Sequence, residues 1–409
     1  MWFYALNLKI INNNPKTMTT SISLRRFAAA FLAVVLVSAA SCADEKVAKE
    51  ARLHTYTMPN PYEVQPVNLP TDGKVKNVIL MIGDGMSLMH IYSAWTANHG
   101  HLYITDSNPV TGFSKTYCAN RLITDSAAGG TALATGHKVN YHSVAVGTDG
   151  NNVYSVLDAA HDKGLATGVT ATCRLWDATP ADFCCHEADR DSEFEIIADY
   201  AECKADVVIG GGLTKFVNRP DGRNILKEIQ KKGWKTATSW EETKQVAAKH
   251  PKKLFAVTDS VDTPLPKDRG DRLAQSSLLT LDILKNNPKG FFMMIEGSQL
   301  DDYGHFNDLP TLMEETHDFD RTVGEILRWA AKDGETLVIV TADHETGAPT
   351  LHDGDIATGR IECKFATDSH SGVMVPIYAF GPGSQNFCGV MENTDIPRKI
   401  SALLGLDLK

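Results

Sequence analysis

Three short apolar runs in this chain each end directly at residues of the kinds that bind metal ions. The runs span residues 78–82, 291–295 and 337–340, and the residues that follow them include Asp84, Glu296 and the pair Asp343-His344. Uninterrupted aliphatic runs are typical of parallel strands that are buried on both faces of a sheet. Because an open α/β sheet gathers its ligands just beyond the carboxyl ends of its strands, the runs predict one site assembled from distant segments.

Further runs of this kind alternate along the chain with stretches of helical period. In residues 273–285 and 312–331, apolar residues recur at steps of three and four, which predicts amphipathic helices. The segment 215–253 is rich in Lys and Glu and predicts a solvated helical excursion. The alternation predicts a doubly wound α/β fold, in which helices cover both faces of a mainly parallel central sheet as three α/β/α layers. The predicted strands are 78–82, 166–171, 206–209, 254–257, 291–295, 337–341 and 375–380.

Composition limits the classes of function. A chain of 409 residues with 43% hydrophobic and 22% charged residues has the make-up of a globular protein with a large core. Its formal net charge of -10 argues against a nucleic-acid groove, because phosphates are neutralised by a basic surface. Bound cations would cancel part of that acidity if some of the carboxylates lie in a metal site.

The first part of the chain predicts targeting rather than folded structure. Arg25 and Arg26 precede the apolar stretch 27–40, which has the layout of a secretory signal and is short and alanine-rich for a membrane span. The predicted boundaries are a signal segment at 1–42, with a start at Met18 as an alternative, an extended lead-in at 43–76 and one domain at 77–409.

Two cleavage positions fit the end of the signal segment. Cleavage before Cys42 would produce a lipoprotein that is attached to a membrane through that residue, and cleavage after Ala43 would release a soluble protein. Both alternatives predict an exported protein, either periplasmic or anchored to the cell envelope. Of the eight cysteines, loss or lipidation of Cys42 leaves seven, so at least one other cysteine is expected to be unpaired unless it links two chains.

Ser126 is the candidate nucleophile. It opens a run of small residues, 126–132, that would begin a helix, and the free amides and dipole of a helix N-terminus favour an anion. Helix capping by Ser126 is an equally open alternative at this point. The surrounding residues do not form a Gly-x-Ser-x-Gly elbow, so a metal ion rather than a histidine would have to activate the hydroxyl.

Five motifs occur along the chain in one order. They are Gly83-Asp84-Gly85-Met86, Thr124-Asp125-Ser126-Ala127, Thr135-Gly136-His137-Lys138, Gly210-Gly211-Gly212 and the run 341–347. Together these motifs resemble those of the alkaline phosphatase family, and the resemblance extends over residues 77–383. The interval between His344 and His370 is too short for the large crown insertion of animal forms, so the resemblance is to the compact bacterial form.

The resemblance implies two zinc ions and one magnesium ion. One zinc would be held by Asp301, His305 and His370, and the other by Asp84, Asp343 and His344, with the Ser126 oxygen joining during turnover. Magnesium would be held by Asp84, Thr179 and Glu296, with Asp177 acting through water. These donors suit the two metals, since catalytic zinc takes imidazole and carboxylate ligands and magnesium prefers oxygen.

The activity implied by the resemblance is hydrolysis of small phosphate monoesters to alcohol and inorganic phosphate through a phosphoserine at Ser126. Arg190 stands where the family has a phosphate-binding arginine, and a guanidinium can hold two phosphate oxygens at once. Without the resemblance, a surface arginine paired with Asp189 or Asp191 would be the favoured interpretation of Arg190. The family is usually dimeric, which implies a homodimer.

Two alternatives and one departure accompany this assignment. A phosphodiesterase or nucleotide pyrophosphatase of the same superfamily would lack the third metal set, so Thr179 and Glu296 favour a monoesterase. The other alternative is a noncatalytic lipoprotein that binds metal or phosphate. Asp302 departs from the best-known bacterial form, which has a lysine there, and this predicts weaker retention of phosphate.

Overall fold

The computed structural model describes residues 52–409, and a ten-stranded sheet forms the centre of this region. The predicted signal segment therefore lies outside the described residues. The strands are β1 (His54–Thr57), β2 (Asn77–Gly83), β3 (Val110–Lys115), β4 (Ala166–Arg174), β5 (Val207–Gly211), β6 (Lys235–Ala237), β7 (Leu254–Val257), β8 (Phe291–Gly297), β9 (Thr336–Thr341), β10 (Glu345–Thr346), β11 (Pro349–Asp355), β12 (Arg360–Phe365), β13 (His370–Ser371), β14 (Val375–Phe380) and β15 (Gly389–Glu392).

Helices connect most of these strands. They are α1 (Leu88–Ala97), α2 (Tyr103–Asp106), α3 (Ser126–Thr135), α4 (Val156–Lys163), α5 (Ala178–Asp182), α6 (Glu193–Asp199), α7 (Leu213–Val217), α8 (Ile225–Lys231), α9 (Trp240–Ala247), α10 (Pro266–Arg269), α11 (Arg272–Leu284), α12 (Gln299–His305), α13 (Leu309–Asp333) and α14 (Asp395–Leu404). Within residues 52–409, every helix is too short or too polar to cross a membrane.

The central sheet is mainly parallel, as the sequence predicts. Its strand order is β15-β3-β14-β9-β2-β8-β4-β5-β7-β6, and β14 is the strand that runs antiparallel to both of its neighbours, β3 and β9. All seven predicted strands are present. Small sheets lie outside it, one with the order β1-β12-β11 and the other pairing β10 with β13.

Strand β2 shows how the sheet divides the core into two layers. All seven of its residues are buried. Because successive side chains point to opposite faces of a strand, Val78 and Leu80 pack in one apolar cluster while Ile79 and Met81 pack in the other. Each cluster joins one face of the sheet to its helices, so the predicted three-layer α/β/α architecture is confirmed.

Helix α13 covers one face and is longer than predicted. It begins at the cap Asp308, whose carboxylate accepts from the amide of Thr311, and it ends at Gly334, which adopts a left-handed conformation with φ of 77°. Glycine takes this conformation without the steric cost that a side chain brings, and it is therefore a common helix terminator. The sequence prediction for this helix, 312–331, omitted the first turn.

The predicted lead-in and the predicted helical excursion both contain strands. Strand β1 lies within the predicted extended lead-in, 43–76, and pairs antiparallel with β12. The excursion 215–253 contains most of α7, all of α8 and α9, and also β6, which extends the sheet edge by pairing with β7. The cysteines within residues 52–409 form no disulfide.

Candidate metal and phosphate site

The three strands that end in candidate ligands are neighbours in the centre of the sheet. Strand β2 lies between β8 and β9, with Ile82 in register with both Glu296 and Thr341. Beyond the end of β2, the amide of Asp84 donates to the carbonyl of Gly297 at 3.0 Å. The carboxyl ends of segments that are more than 200 residues apart therefore meet at one edge, as the apolar runs predict.

One ligand set consists of Asp84, Asp343 and His344. Their candidate ligand atoms all lie within 4.8 Å of one another. His344 Nε2 is 3.4 Å from Asp84 Oδ1 and 3.2 Å from Asp343 Oδ2. Burial, and after it the charges of Asp343 and Asp301, raises the pKa of Asp84 well above its usual range. A bound cation would relieve this repulsion.

A second set consists of Asp301, His305 and His370, whose candidate ligand atoms also lie within 4.8 Å of one another. The Nδ1 atoms of His305 and His370 each donate to a backbone carbonyl, that of Asp368 at 2.7 Å and that of Thr124 at 2.8 Å. Hydrogen bonds of this kind fix the ring orientation and leave Nε2 free as a ligand. The two Nε2 atoms are 3.1 Å apart and face Asp301.

The proposed magnesium ligands lie on the other side of Asp84. Thr179 Oγ1 donates to Asp84 Oδ2 at 3.3 Å, and Glu296 on β8 is in register with Ile82, two residues before Asp84. Burial, and after it the charges of Asp177 and Asp343, raises the pKa of Glu296 well above its usual range. The structure thus places oxygen donors on both sides of Asp84.

Ser126 is the first residue of α3 and does not cap it. The cap is Asp125, whose carboxylate accepts from the amide of Ala128 at 3.2 Å, so the capping alternative for Ser126 is wrong. The side chain of Ser126 instead points toward the first ligand set, with Oγ 3.1 Å from His344 Nε2. Helix α3 is buried throughout, which its run of Ala and Gly residues permits.

Arg190 lies at the site rather than in a surface ion pair with Asp189 or Asp191. Its guanidinium donates to Asp177 at 2.8 Å and to Asp125 at 3.3 Å. Burial acts to lower the pKa of Arg190, but the charges of Asp177, Asp125 and Asp84 outweigh it and raise the pKa above its usual range. The guanidinium therefore keeps its positive charge.

The first ligand set fits the metal ion that the family resemblance implies for it. Asp84 Oδ1 and Asp343 Oδ2 are fully buried and have no hydrogen-bond partner among residues 52–409. Buried carboxylate oxygens are normally paired or coordinated, because leaving them bare costs several kcal/mol, of the order of 2–7 for a polar group. Both oxygens face His344, so a cation at that point would complete their coordination.

Sequence reasoning missed several polar residues of this region. Arg174 ends β4, donates to both oxygens of Asp262 at 3.2 Å and lies 2.9 Å from Asp177. Thr346 Oγ1 donates to Asp301 and lies 3.3 Å from His344 Nδ1. Arg174 carries the same signal as the candidate ligands, since it too stands at the carboxyl end of a buried run.

Some of these groups line a cavity of about 340 Å³. Ser126, Asp84 and the second ligand set line one part of its wall, and Arg190, Arg174 and Asp177 line another. The cavity is open to solvent and lined mainly by polar atoms. It can hold a small anion between a hydroxyl nucleophile, two guanidinium groups and two metal-ligand sets.

The fold and the site together define a class of enzyme: metal-dependent phosphate-transfer enzymes with a three-layer α/β/α fold and a site at the strand ends. The family model that matches residues 75–364 is described as alkaline phosphatase. The chain is 31% identical to alkaline phosphatase 4 of Bacillus subtilis, over 79% of this chain and 87% of that protein. It is 29% identical to the alkaline phosphatase of Escherichia coli, over 82% of this chain and 87% of that protein.

Solved structures agree with these similarities. The alkaline phosphatase of the Antarctic bacterium TAB5 is 34% identical and superposes with a TM-score of 0.74, over 81% of this chain and 99% of that one. A variant of the TAB5 enzyme has been solved with magnesium bound in a site called M3. The chain belongs to the alkaline phosphatase family. It is a metal-dependent phosphomonoesterase, and phosphate monoesters are its substrates.

Proposed function

We propose that the chain hydrolyses phosphate monoesters through a phosphoserine at Ser126, with two zinc ions and one magnesium ion. The observation that supports this most directly is the position of Ser126 Oγ, 3.1 Å from His344 in one ligand set and in the same cavity as the other set. Asp84 adjoins both His344 and Thr179, so it would be a ligand of both a zinc ion and the magnesium ion.

In the first step, Ser126 Oγ gives up its proton and forms a bond to phosphorus, while the bond from phosphorus to the alcohol oxygen breaks and that oxygen takes up a proton. The attacking and leaving oxygens are roughly in line, so the alcohol departs on the side away from Ser126. The metal ions, when bound, supply Lewis-acid stabilisation of both oxygens. Water then attacks phosphorus from the vacated side, releases inorganic phosphate and restores the Ser126 hydroxyl.

Arg190 binds the phosphoryl oxygens in both steps. Its guanidinium is oriented by Asp125 and Asp177, which also keep it charged. The fork of an arginine matches two oxygens of a phosphate, and Arg190 lines the same cavity as Ser126, which supports a role in orienting the phosphate for attack. Positioning of this kind accounts for much of the rate acceleration in phosphate transfer.

The test compares 4-nitrophenyl phosphate with bis(4-nitrophenyl) phosphate, with and without a chelator. We expect the monoester to be hydrolysed far faster, chelation to abolish the activity, and Ser126→Ala to lower kcat by about a thousandfold or more. Ser260→Ala, at an exposed serine, is the matched control and should leave kcat unchanged.

A direct measurement supports or overturns the covalent step. Acid quenching of the enzyme with radiolabelled phosphate ester should trap the label on Ser126, and peptide mass spectrometry should locate it there. A diester preference would favour the phosphodiesterase alternative. Full activity in Ser126→Ala would refute the mechanism.

The N-terminal assignments belong to the same proposal. We infer export, from Arg25, Arg26 and the apolar stretch that follows them, with either lipidation at Cys42 or cleavage after Ala43. Mass spectrometry of the mature N-terminus distinguishes a diacylglyceryl-cysteine from a free amino terminus. Light scattering of the purified enzyme tests the proposed homodimer, and a monomer mass would contradict it.

A further inference from the structure

A second cavity, of about 440 Å³, opens directly beside the phosphate cavity. Arg174 and Asp302 line both cavities, so the two spaces adjoin at these side chains. The remainder of the second cavity includes Tyr303, Phe306 and Leu265. A substrate whose phosphate lies in front of Ser126 can therefore extend its alcohol part into this space.

The second cavity adjoins the second ligand set through helix α12. Helix α12 carries Asp301 and His305 of the second ligand set, and the same helix presents Asp302 and Tyr303 to the second cavity. In-line displacement places the leaving oxygen away from Ser126, close to this ligand set. The alcohol group is thus adjacent to the residues that follow Asp301 in the chain.

The charges around this cavity favour a cationic group. Arg174 is the cation among its lining residues, and its guanidinium is already paired with Asp262 and with Asp177. The Asp302 carboxylate, in contrast, has no hydrogen-bond or ion-pair partner within residues 52–409. The cavity therefore offers a carboxyl group without a partner, and no unpaired cation, to the alcohol.

Aromatic rings provide the second element of recognition. Phe306 is 71% exposed, although it is a large apolar residue, and its ring centroid lies 5.8 Å from that of Tyr303 in an edge-on arrangement. Aromatic faces attract organic cations, and the attraction is strongest where water is partly excluded. A carboxylate next to two such rings is the chemistry that recognises an alkylammonium group.

We propose that this cavity selects phosphate monoesters whose alcohol carries an organic cation, such as an aminoalkyl or quaternary ammonium group. The proposal rests on the phosphomonoesterase function above and adds the substrate class. Asp302 and Phe306 are its specificity residues, and neither takes part in the transfer of the phosphoryl group.

The test uses two esters of the same shape that differ in charge, 2-(trimethylammonio)ethyl phosphate and 3,3-dimethylbutyl phosphate. We expect kcat/KM to be about tenfold higher for the cationic ester, which corresponds to a cation–π and ionic contribution of the usual size. Asp302→Asn and Phe306→Ala should each reduce this ratio about threefold or more. Val390→Ala, which alters an exposed apolar residue on the edge strand β15, should retain the wild-type ratio.

Inhibition by the two corresponding phosphonates gives a readout that does not depend on turnover of the ester. The cationic phosphonate should have the lower inhibition constant. The difference between the two inhibition constants should be smaller in Asp302→Asn and in Phe306→Ala than in wild type. Equal kcat/KM values for the two esters, or a ratio that survives in both variants, would overturn the substrate class while leaving the monoesterase function intact. Absence of hydrolysis of both esters and of 4-nitrophenyl phosphate would overturn both proposals.

Discussion

Arg269 shows how a single buried charge joins two helices outside the site. Its guanidinium donates to Glu315 at 2.8 Å and 2.6 Å and to Asp318 at 2.7 Å, and all three side chains are only 1% exposed. Arg269 ends α10, whereas both acids lie on α13. The ion pairs therefore hold a short helix near the strand ends against the long helix of one layer.

Substitution of Arg269 by Met should destabilise the protein strongly, because it leaves Glu315 buried without a counter-ion and Asp318 with only Arg321, 3.4 Å away. The expected loss in the free energy of unfolding is about 3–5 kcal/mol, measured by urea denaturation in one metal-saturated buffer. Arg328→Met, which breaks a partly exposed pair with Glu325, is the control and should cost less than about 1 kcal/mol. Equal losses in the two variants would contradict the prediction.

A buried histidine makes stability depend on pH far from the metal ligands. His317 is 1% exposed and donates from Nε2 to the carbonyl of Ala94 at 2.9 Å. Burial, against the opposing effect of this hydrogen bond, lowers the pKa of His317 to about 4. The unfolded chain binds a proton near pH 6.5 and the folded protein does not, so stability decreases as the pH falls from 6.5 to 4.

His317 should lower the free energy of unfolding by up to roughly 3 kcal/mol as the pH falls from 6.5 to 4. His317→Gln retains a side-chain amide that can donate to Ala94 but removes the titration, so its free energy of unfolding should vary less with pH. His352→Gln, at an exposed position, provides the control. The prediction fails if wild type and His317→Gln lose stability in parallel between pH 7 and pH 4.5.

The candidate site could be predicted mainly where a ligand directly follows a buried strand. Asp84, Glu296 and Asp343 carry that signal in the sequence, and the structure places them on adjacent strands. Arg174 carries it as well but was overlooked, because its partners Asp177 and Asp262 are brought together only by tertiary folding. His370 has no local signal of its own and depended on the family resemblance.

At the level of elements, the strands buried on both faces were predictable and the half-exposed ones were not. Strand β14 has six buried residues in succession, a pattern that is visible as an apolar run. In contrast, buried and exposed residues alternate along most of β3, and β11 begins at a buried residue but is exposed over its final residues. Such strands owe their pairing to neighbours that are distant in sequence, for which a local pattern gives no information.

Helix α3 approaches the strand ends closely because it contains glycine. A Cβ atom on Gly129 would lie 2.8 Å from the carbonyl oxygen of Asp343, nearer than real Cβ atoms come to backbone. Gly129 thus lets the helix that begins at Ser126 contact the loop that carries Asp343 and His344. The spacing between the nucleophile and the first ligand set is fixed by backbone packing.

Gly129→Ala should displace α3 from the Asp343 loop and lower kcat for 4-nitrophenyl phosphate by about tenfold or more, since small misplacements of a nucleophile are costly. Stability should fall too. Helix propensity alone would instead raise the free energy of unfolding by roughly 0.5–1 kcal/mol when Gly is replaced by Ala. The sign of the change in this free energy therefore distinguishes the packing effect from the propensity effect. A stabilised variant with full activity would contradict the packing argument.

For the whole molecule, the site concentrates negative charge in a buried region. Asp84, Glu296 and Asp343 are all buried, and burial raises the pKa of each of them, that of Asp343 to about 6. Bound cations offset this repulsion in the folded state. They have no comparable stabilising effect in the unfolded chain. Metal binding should therefore stabilise the complete fold as well as support activity.

Removal of the metals with a chelator should lower Tm by about 5 °C or more, as measured by differential scanning calorimetry. Asp343→Asn removes one of the repelling charges and one ligand oxygen. We therefore expect this variant to be more stable than wild type in chelator and less stable in zinc and magnesium. A Tm that is insensitive to chelation in both proteins would show that the carboxylates do not depend on cations.

The central position of β2 determines when the site can exist during synthesis. This strand is made early, yet its two partners, β8 and β9, follow it by more than 200 residues, and both pairings are parallel. A nascent chain that ends before Asp343 has neither complete ligand set, and the second set also waits for His370. High affinity for metal should consequently appear late and abruptly during elongation, when nearly the whole polypeptide has left the ribosome.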